Sequence, residues 1–324
     1  KLKVTEAEAR EVIPLLPELY DEPFADTSQI PTFLVCRSAK QNVTVSLSGD
    51  GGDELFGGYS RYFWGPRFWN RFQYFPYAVR RSMGNLINNI PLSGLNAIGK
   101  SYSKLLSNND DPLLLGDKLY RLANRLRIVK TNDELYRSLV NEWPMSSGIL
   151  NDSHSESKCQ LDDPLPIIGL DHPAMHMMLQ DMRSYLPDDI LCKVDRASMG
   201  VSLEVRTPFL DPDVVELATR LPMDFKIRNG NGKWILKQIL YKHVPKSIVD
   251  RPKSGFGIPI GAWLKGPLRG WADDLLSYDR LKRDGFFDPD IVHDIWSEHL
   301  TGRRDWTTRL WAILMFQAWY LEQT

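Results

Sequence analysis

The segment Val43-Thr-Val-Ser-Leu-Ser48-Gly-Asp50-Gly-Gly-Asp53-Glu54-Leu-Phe-Gly-Gly-Tyr59 constrains this chain more than any other. A β-prone run stops at a serine, then gives way to glycines and carboxylates before a second Gly-Gly and an aromatic cluster. Glycine reaches backbone angles closed to other residues and lets a ligand come close to the main chain. Carboxylates beside such a turn suit Mg2+ held against phosphates, or a charged amine. Just upstream, Ile30 to Ala39 has a helical pattern, with Pro31 placed for a first turn and Phe33, Leu34 and Ala39 on a buried face. Val43 to Leu47 reads as a short buried strand. A helix, then a strand with a glycine-rich loop at its carboxyl end, predicts the ligand edge of an open α/β sheet.

Asp50 and Asp53 are three residues apart, so a helix opening at Gly51-Gly-Asp-Glu54 brings both side chains near its first turn. Free amides there favour an anion, and Ser48 and Gly49 present hydroxyl and backbone groups to a nucleotide. Two carboxylates repel that anion unless Mg2+ lies between them, which favours a metal-bridged phosphate. The plainer alternative is a glycine-rich turn with aspartate caps. The loop matches neither G-x-x-x-x-G-K-[ST] nor G-x-G-x-x-G.

The rest of the chain sets bounds. Its 324 residues suffice for two domains, or for one with a large insertion. Forty basic and 41 acidic residues leave a net charge of −1, which gives no reason to expect a nucleic-acid partner. No stretch has the apolar length of a membrane span, and the opening residues lack the apolar core of a signal peptide. Cys36, Cys159 and Cys192 are dispersed and odd in number, which points to a reducing compartment. From Leu55 to about Tyr77 the chain is dense in aromatics, interleaved with Arg61, Arg67 and Arg71. Rings and arginines in alternation suit stacked bases, but the helical spacing favours a packed aromatic core with arginines at its edge. Helices are predicted over Leu113–Val129, Ala174–Tyr185, Val214–Arg220, Lys233–His243, Ile291–His299 and Arg309–Gln323, with a polar loop from about Asn151 to Asp163. His172 and His176 have the spacing of two metal ligands on a helix, without the Glu-x-x-His or cysteine pair that would complete a site. Lys253, in Arg251-Pro-Lys-Ser-Gly-Phe-Gly257, is by itself an ordinary turn lysine.

Leu47-Ser-Gly-Asp-Gly-Gly-Asp-Glu-Leu-Phe-Gly-Gly-Tyr59 closely resembles the synthetase domain of glutamine-hydrolysing asparagine synthetases. So do Asp21-Glu-Pro-Phe-Ala-Asp26, Ile30-Pro-Thr32, Tyr185 to Met199, Ser202 to Asp211 and Arg251 to Gly257. These blocks follow one another in the family's order, and residues 80 to 160 carry little of the likeness. The resemblance implies an adenine-nucleotide alpha-hydrolase-like (ATP-pyrophosphatase, Rossmann-like) α/β sheet with a predominantly helical remainder. Its parts would be the rest of a nucleotide-binding core at 1–80, a helical insertion at 81–160, and a helical part completing the active site at 161–324.

The implied chemistry is adenylation of the aspartate side chain by ATP and Mg2+, then displacement of AMP by ammonia from glutamine. By the same resemblance, Asp50 serves the ammonia step and Lys253 stabilises charge on the phosphates and at the reacting centre. Ser48, Gly49 and Gly51 contact nucleotide or substrate, and Asp53 takes a Mg2+-linked position. Asp195 and Arg196 lie beside the active site. Glu54 is a cap or salt-bridge partner, the Tyr59 ring is packing, and Glu204, Arg206 and Asp211 frame a helix–loop junction. Asp195 is also open to a buried pairing with Arg196 or Lys193. Expected partners are a glutaminase domain in the parent chain and a second copy in a homodimer, with no nucleic acid or membrane, in the cytoplasm.

The chain departs from the family's pattern in two ways: it has neither a Ser-Gly-Gly-x-Asp-Ser loop nor a glutaminase domain. Both precede the point where it begins, so the expectation is a carboxyl-terminal piece with an N-terminally truncated sheet, inactive alone. Two other readings stay open: a related enzyme that amidates a sugar or peptide carboxylate or closes a lactam, and a silent helical scaffold.

Overall fold

The computed structural model describes residues 4–90, 94, 112–143, 147–151, 160–163, 172–250 and 257–324. Lys253 and Cys159 lie outside the described residues. The chain divides into two compact units, one of residues 1–59 with 145–324 and one of residues 60–144. It is a mainly helical α/β protein. Among the described residues, no helix is long and apolar enough to cross a membrane.

In the larger unit the prolines at 14 and 17 break the first helical stretch into short pieces. Helix Glu6–Arg10 has a Thr5/Glu8 capping box. A 3-10 turn follows at Ile13–Leu15, and then helix Leu16–Tyr20. Each proline sits within the first two residues of its piece, where its missing N–H costs nothing. Helix Gln29–Lys40 buries Phe33 and Leu34 as its spacing predicts, together with Ile30 and Cys36, whereas Ala39, expected on the same face, is only half-buried. It packs against helix Cys192–Met199.

Strand β1, Val45–Leu47, pairs in parallel with β2, Glu204–Arg206, in the register Val45↔Glu204, Ser46↔Val205 and Leu47↔Arg206. The expectation of a buried strand over Val43–Leu47 does not hold. Val43, Val45 and Leu47 are exposed, Leu47 at 73%. The β-branched pattern reported strand propensity correctly, but burial depends on what covers the face, and β2 is the only described neighbour of β1 in the sheet.

The carboxyl-terminal helices supply much of this unit's core. Helix Thr307–Gln323 buries Leu310, Trp311, Ile313, Leu314 and Met315. It packs on helices Leu16–Tyr20, Ile260–Lys265, Arg269–Leu275 and Pro289–Leu300.

The smaller unit contains helices Arg61–Phe72, Tyr77–Asn88, Pro112–Ile128 and Asn132–Val140. Its aromatic run packs largely within itself: Trp64 stacks on Phe68 at 5.0 Å between ring centroids, and Phe68 lies 4.8 Å from Phe72. Tyr62 and Phe68 are buried, while Arg67 and Arg71 face outward, in keeping with the core reading.

Helix Tyr77–Asn88 approaches helix Pro112–Ile128 closely at Gly84, where a methyl group would lie 2.5 Å from the Ala123 carbonyl oxygen and 2.6 Å from Arg127 Cγ. The backbone oxygen cannot swing aside. Gly84→Ala is therefore expected to destabilise the unit by about 1–3 kcal/mol despite alanine's better helix propensity. A thermal melt of the variant beside the wild type checks this; an unchanged or raised Tm rejects the close approach.

Candidate active site

Parallel pairing positions the loop. After Leu47, the Ser48 amide donates to the Arg206 carbonyl at 2.8 Å, extending the ladder one rung into the loop. The Ser48 hydroxyl then donates to the Asp50 carboxylate, and the Asp50 amide donates back to Ser48 Oγ at 3.2 Å. Gly51 follows at φ +83°, a left-handed conformation that favours glycine, and a Cβ there would meet Leu210 Cδ2 at 2.4 Å. Helix Gly52–Phe56 begins at once and ends on Gly57 at φ +71°. Leu55 and Phe56 anchor it in an apolar cluster with Ala218, against which Phe209, Leu210, Val214 and Leu236 pack. The short helix is thus fixed from below while Ser48, Gly49 and Asp50 stay partly open to solvent.

Asp50 and Asp53 are held by different partners. Asp50 accepts from Ser48, whereas Asp53 Oδ2 lies 2.9 Å from Lys233 Nζ. Lys233 drew no functional reading from the sequence. It follows Asn229-Gly-Asn-Gly232, a run that signals a tight turn, and its amide donates to the Phe56 carbonyl at 2.9 Å. That run could have marked a shaped loop, but nothing local says that the loop returns to a segment 180 residues earlier. Behind the helix, Glu54 is buried and accepts from the Tyr59 hydroxyl at 2.6 Å. Burial pushes the Glu54 carboxyl above its ordinary value, with added push from Asp53 and Asp181. Tyr59 therefore does more than pack: it also meets Tyr185 edge-on at 5.7 Å.

Other expected site residues are placed as follows. Asp195 and Arg196 are exposed on helix Cys192–Met199, and neither hydrogen-bonds nor ion-pairs with the Ser48–Asp53 loop. The buried pairing considered for Asp195 is not formed. Lys193 instead takes Asp26 and Asp189, the latter at 3.1 Å. Glu204 and Arg206 pair with each other at 2.8 Å on the open face of β2. Asp211 caps helix Pro212–Arg220 by accepting from the Asp213 amide. His172 lies outside helix Pro173–Arg183 as its cap, accepting from the Ala174 amide, so it does not share a helix face with His176.

Among the described residues no three His, Cys, Asp or Glu side chains come together as a metal group, and the Asp53 carboxylate already carries an ammonium. Mg2+ bound with a nucleotide needs only one or two protein carboxylates beside the phosphates, and Asp50 and Asp53 are the ones this loop would offer.

The sequence profile of the asparagine synthase family matches residues 1–321. The chain belongs to the asparagine synthase family. A Mycobacterium tuberculosis protein named "Putative asparagine synthetase", glutamine-hydrolyzing, is 35% identical over 96% of this chain and 45% of its own length. Bacillus subtilis glutamine-hydrolyzing asparagine synthetase 1 is 29% identical over 93% of the chain and 44% of its own length. The mouse glutamine-hydrolyzing asparagine synthetase is 30% identical over 38% of the chain. The chain thus spans a little under half the length of the curated relatives it matches over nearly all its own residues. No solved structure matches.

Lys193, Asp26 and Asp189 form a cluster of two carboxylates around one ammonium. Burial pushes Asp189 up, the Asp26 charge adds to it, and the carboxyl reaches about 7. Burial also acts on Asp26, but the Lys193 ammonium and the Ser28 donors outweigh it and hold that carboxyl below its ordinary value. Lys193 ends above its ordinary value, because its two carboxylates outweigh burial. A raised Asp189 favours folding in its neutral form, so its contribution is complete below the unfolded value of about 3.9 and is lost as pH rises through about 7. Asp26 has the opposite sign, and its contribution is lost only as pH falls below the ordinary carboxylate range. Between about pH 4.5 and 7.5 the Asp189 effect therefore governs. Asp189→Asn is expected to gain on the wild type by about 1–3 kcal/mol across that window. Urea unfolding at both ends measures it; parallel pH slopes for the two proteins reject the assignment.

Proposed function

We propose that this chain is the synthetase part of an ATP-dependent ligase that amidates aspartate to asparagine. The observation that carries the reading is the partly open Ser48-Gly49-Asp50 turn at the carboxyl end of β1, in a chain of the asparagine synthase family. That is where open α/β sheets bind ligands, and it accords with an ATP-pyrophosphatase type of sheet.

In this reading ATP enters as its Mg2+ complex, with Ser48, Gly49 and Gly51 lining the nucleotide and substrate. The aspartate β-carboxylate attacks the α-phosphorus, and the bond to the β-phosphate oxygen breaks, releasing pyrophosphate and leaving β-aspartyl-AMP. Ammonia, supplied by glutamine hydrolysis in another domain of the parent protein, attacks the acyl carbon. The tetrahedral oxyanion collapses with loss of AMP, and the surplus proton passes to Asp50. A carboxylate there takes the proton without a long relay. The Ser48 hydroxyl holds that carboxylate in place through the same bond that shapes the turn. Lys253 stabilises the charge developing at the phosphates and the oxyanion, with Asp195 and Arg196 at the margin of the substrate site.

The parent protein, given aspartate, ATP and Mg2+ with glutamine or ammonia, is expected to form AMP and asparagine in equal amounts. Asp50→Asn is expected to lower asparagine formation by about 10²-fold or more. It should leave aspartate-dependent exchange of pyrophosphate into ATP within a few-fold of wild type, because Asp50 acts after adenylation. ATP consumption with a different carboxylate would change the acceptor, and no ATP consumption with any would sink the ligase reading. Equal loss of both activities would move Asp50 to the adenylation step.

A further inference from the structure

Helix Tyr77–Asn88 has three sides of different character. One packs on helix Pro112–Ile128 at Gly84, where the buried Arg80 guanidinium anchors it by donating to the Val129 carbonyl at 2.9 Å. Another carries Arg81 and Asn85, both exposed. The third presents Val79, Met83 and Leu86 to solvent, spaced four and three residues apart and so aligned on one stripe of the helix. Ile90 continues the stripe just past the helix end, and exposure along it runs from 37% at Ile90 to 69% at Leu86. A spacing that ordinarily marks a core face here marks an open one. At the amino-terminal end Tyr74 and Phe75 are exposed as well, and Arg80 Nε fixes their turn by donating to the Phe75 carbonyl at 3.2 Å. The Tyr77 hydroxyl donates to the Arg127 carbonyl at 2.6 Å, and Lys130 Nζ lies 5.1 Å from the Tyr77 ring centre. The exposed Arg127 and Lys130 therefore stand at that same end of the helix.

Charge decides what such a face can meet. From Leu55 to Asn109 the chain has seven Lys and Arg residues and no Asp or Glu. Residues 60–144, the smaller unit, hold 13 basic and 6 acidic side chains, a net +7 in a chain whose total is −1. Arg67, Arg71 and Arg81 are exposed, with no acidic residue nearer in sequence than Glu54 or Asp110. The near-zero total hides this asymmetry, so the expectation of no membrane partner did not take it into account. An apolar stripe with aromatics at one end, on a strongly basic unit, matches hydrocarbon beneath a layer of negative charge. Pairing with a second copy through this face would bring two such basic units together. Aliphatic side chains along the stripe offer nucleic-acid bases nothing to stack on.

We propose that this face of helix Tyr77–Asn88 docks on an anionic lipid surface. Val79, Met83, Leu86 and Ile90 enter the boundary between headgroups and acyl chains, and the arginines and lysines of the smaller unit are drawn to the lipid phosphates. A helix held this way lies on the membrane and does not cross it, in keeping with the lack of a spanning helix among the described residues.

The test is sedimentation of the full-length parent protein with vesicles of phosphatidylcholine containing about one-third phosphatidylglycerol, beside vesicles of phosphatidylcholine alone. The anionic vesicles are expected to bind about tenfold more tightly or better, and added salt should weaken that binding. Met83→Ser with Leu86→Ser should lower the affinity about tenfold. Arg67→Gln with Arg71→Gln should lower it by about threefold or more, and for the anionic vesicles alone. Neither pair lies in the strand-end loop, so ATP-dependent turnover in solution should be unchanged by both. Thermal melts confirm that each variant is folded; if the serine pair is not, Leu86→Ser alone is read instead. Equal binding to the two kinds of vesicle, or none to either, overturns the proposal. So does a serine pair that binds anionic vesicles as the wild type does. Where vesicles are not bound, a wild-type dimer that the serine pair dissociates would assign the face to a second copy. A complex with a single-stranded oligonucleotide that the glutamine pair dissociates would then assign the basic unit to nucleic acid. Both results overturn lipid docking and leave the ligase reading where it stands.

Discussion

One rung of a three-residue parallel ladder decides where the chemistry can happen. The Ser48 amide donates to Arg206, a residue about half the chain away, and this bond sets the direction in which the glycine loop leaves the sheet. Parallel strands need a long crossover, and here the crossover between β1 and β2 carries the whole smaller unit together with helices of the larger one. Strands this short contribute little stability by themselves. Their alignment is imposed by the helices behind them, through packing of Gln29–Lys40 on Cys192–Met199 and the apolar anchor of Leu55 and Phe56. The site is thus positioned by helix packing, and the sheet sets its direction.

The charges divide into two populations with different physics. Lys193 is buried while Asp26 and Asp189 beside it stay partly exposed, and the two carboxylates compete for one ammonium. Burial then forces one of them toward its neutral form near pH 7. That cluster ties the loop before helix Gln29–Lys40 to the π-helical turn Leu186–Leu191 that leads into helix Cys192–Met199. It holds together the two helices behind β1. Asp50, Asp53 and Lys233 are likewise partly exposed, at the strand-end loop. The first group is tied into the framework through the buried Lys193, and the second borders the strand-end loop.

Much of this was legible before any coordinates. Ser48 to Tyr59 announced a strand-end turn because its glycines, serine and carboxylates are local in sequence, and local geometry follows from local residue types. The helices at Gln29–Lys40, Pro112–Ile128, Pro173–Arg183 and Pro289–Leu300 were legible from periodicity for the same reason, with ends fixed by proline and aspartate caps. What escaped was every relation between distant segments. Lys233 reads as the start of a helix, and only the folded chain brings it to Asp53. Lys193 offers no clue in sequence that it prefers Asp26 to its neighbour Asp195. The exposure of Leu47 was also misjudged, because a strand's pattern reports its pleat and not its cover.

The two Gly-Gly pairs around helix Gly52–Phe56 show how distant relations can still leave a trace. Gly51 and Gly57 take left-handed angles, so their identity follows from the backbone alone. Gly58 has no such need, but the Asp53 side chain of the same loop already fills the space a methyl would take, with Oδ1 at 1.8 Å. From across the fold, Lys233 Cε closes the same space at 2.5 Å. A glycine whose own backbone does not require it is therefore a record of a neighbour. In a loop that already carries a carboxylate, the neighbour most worth seeking is a cation.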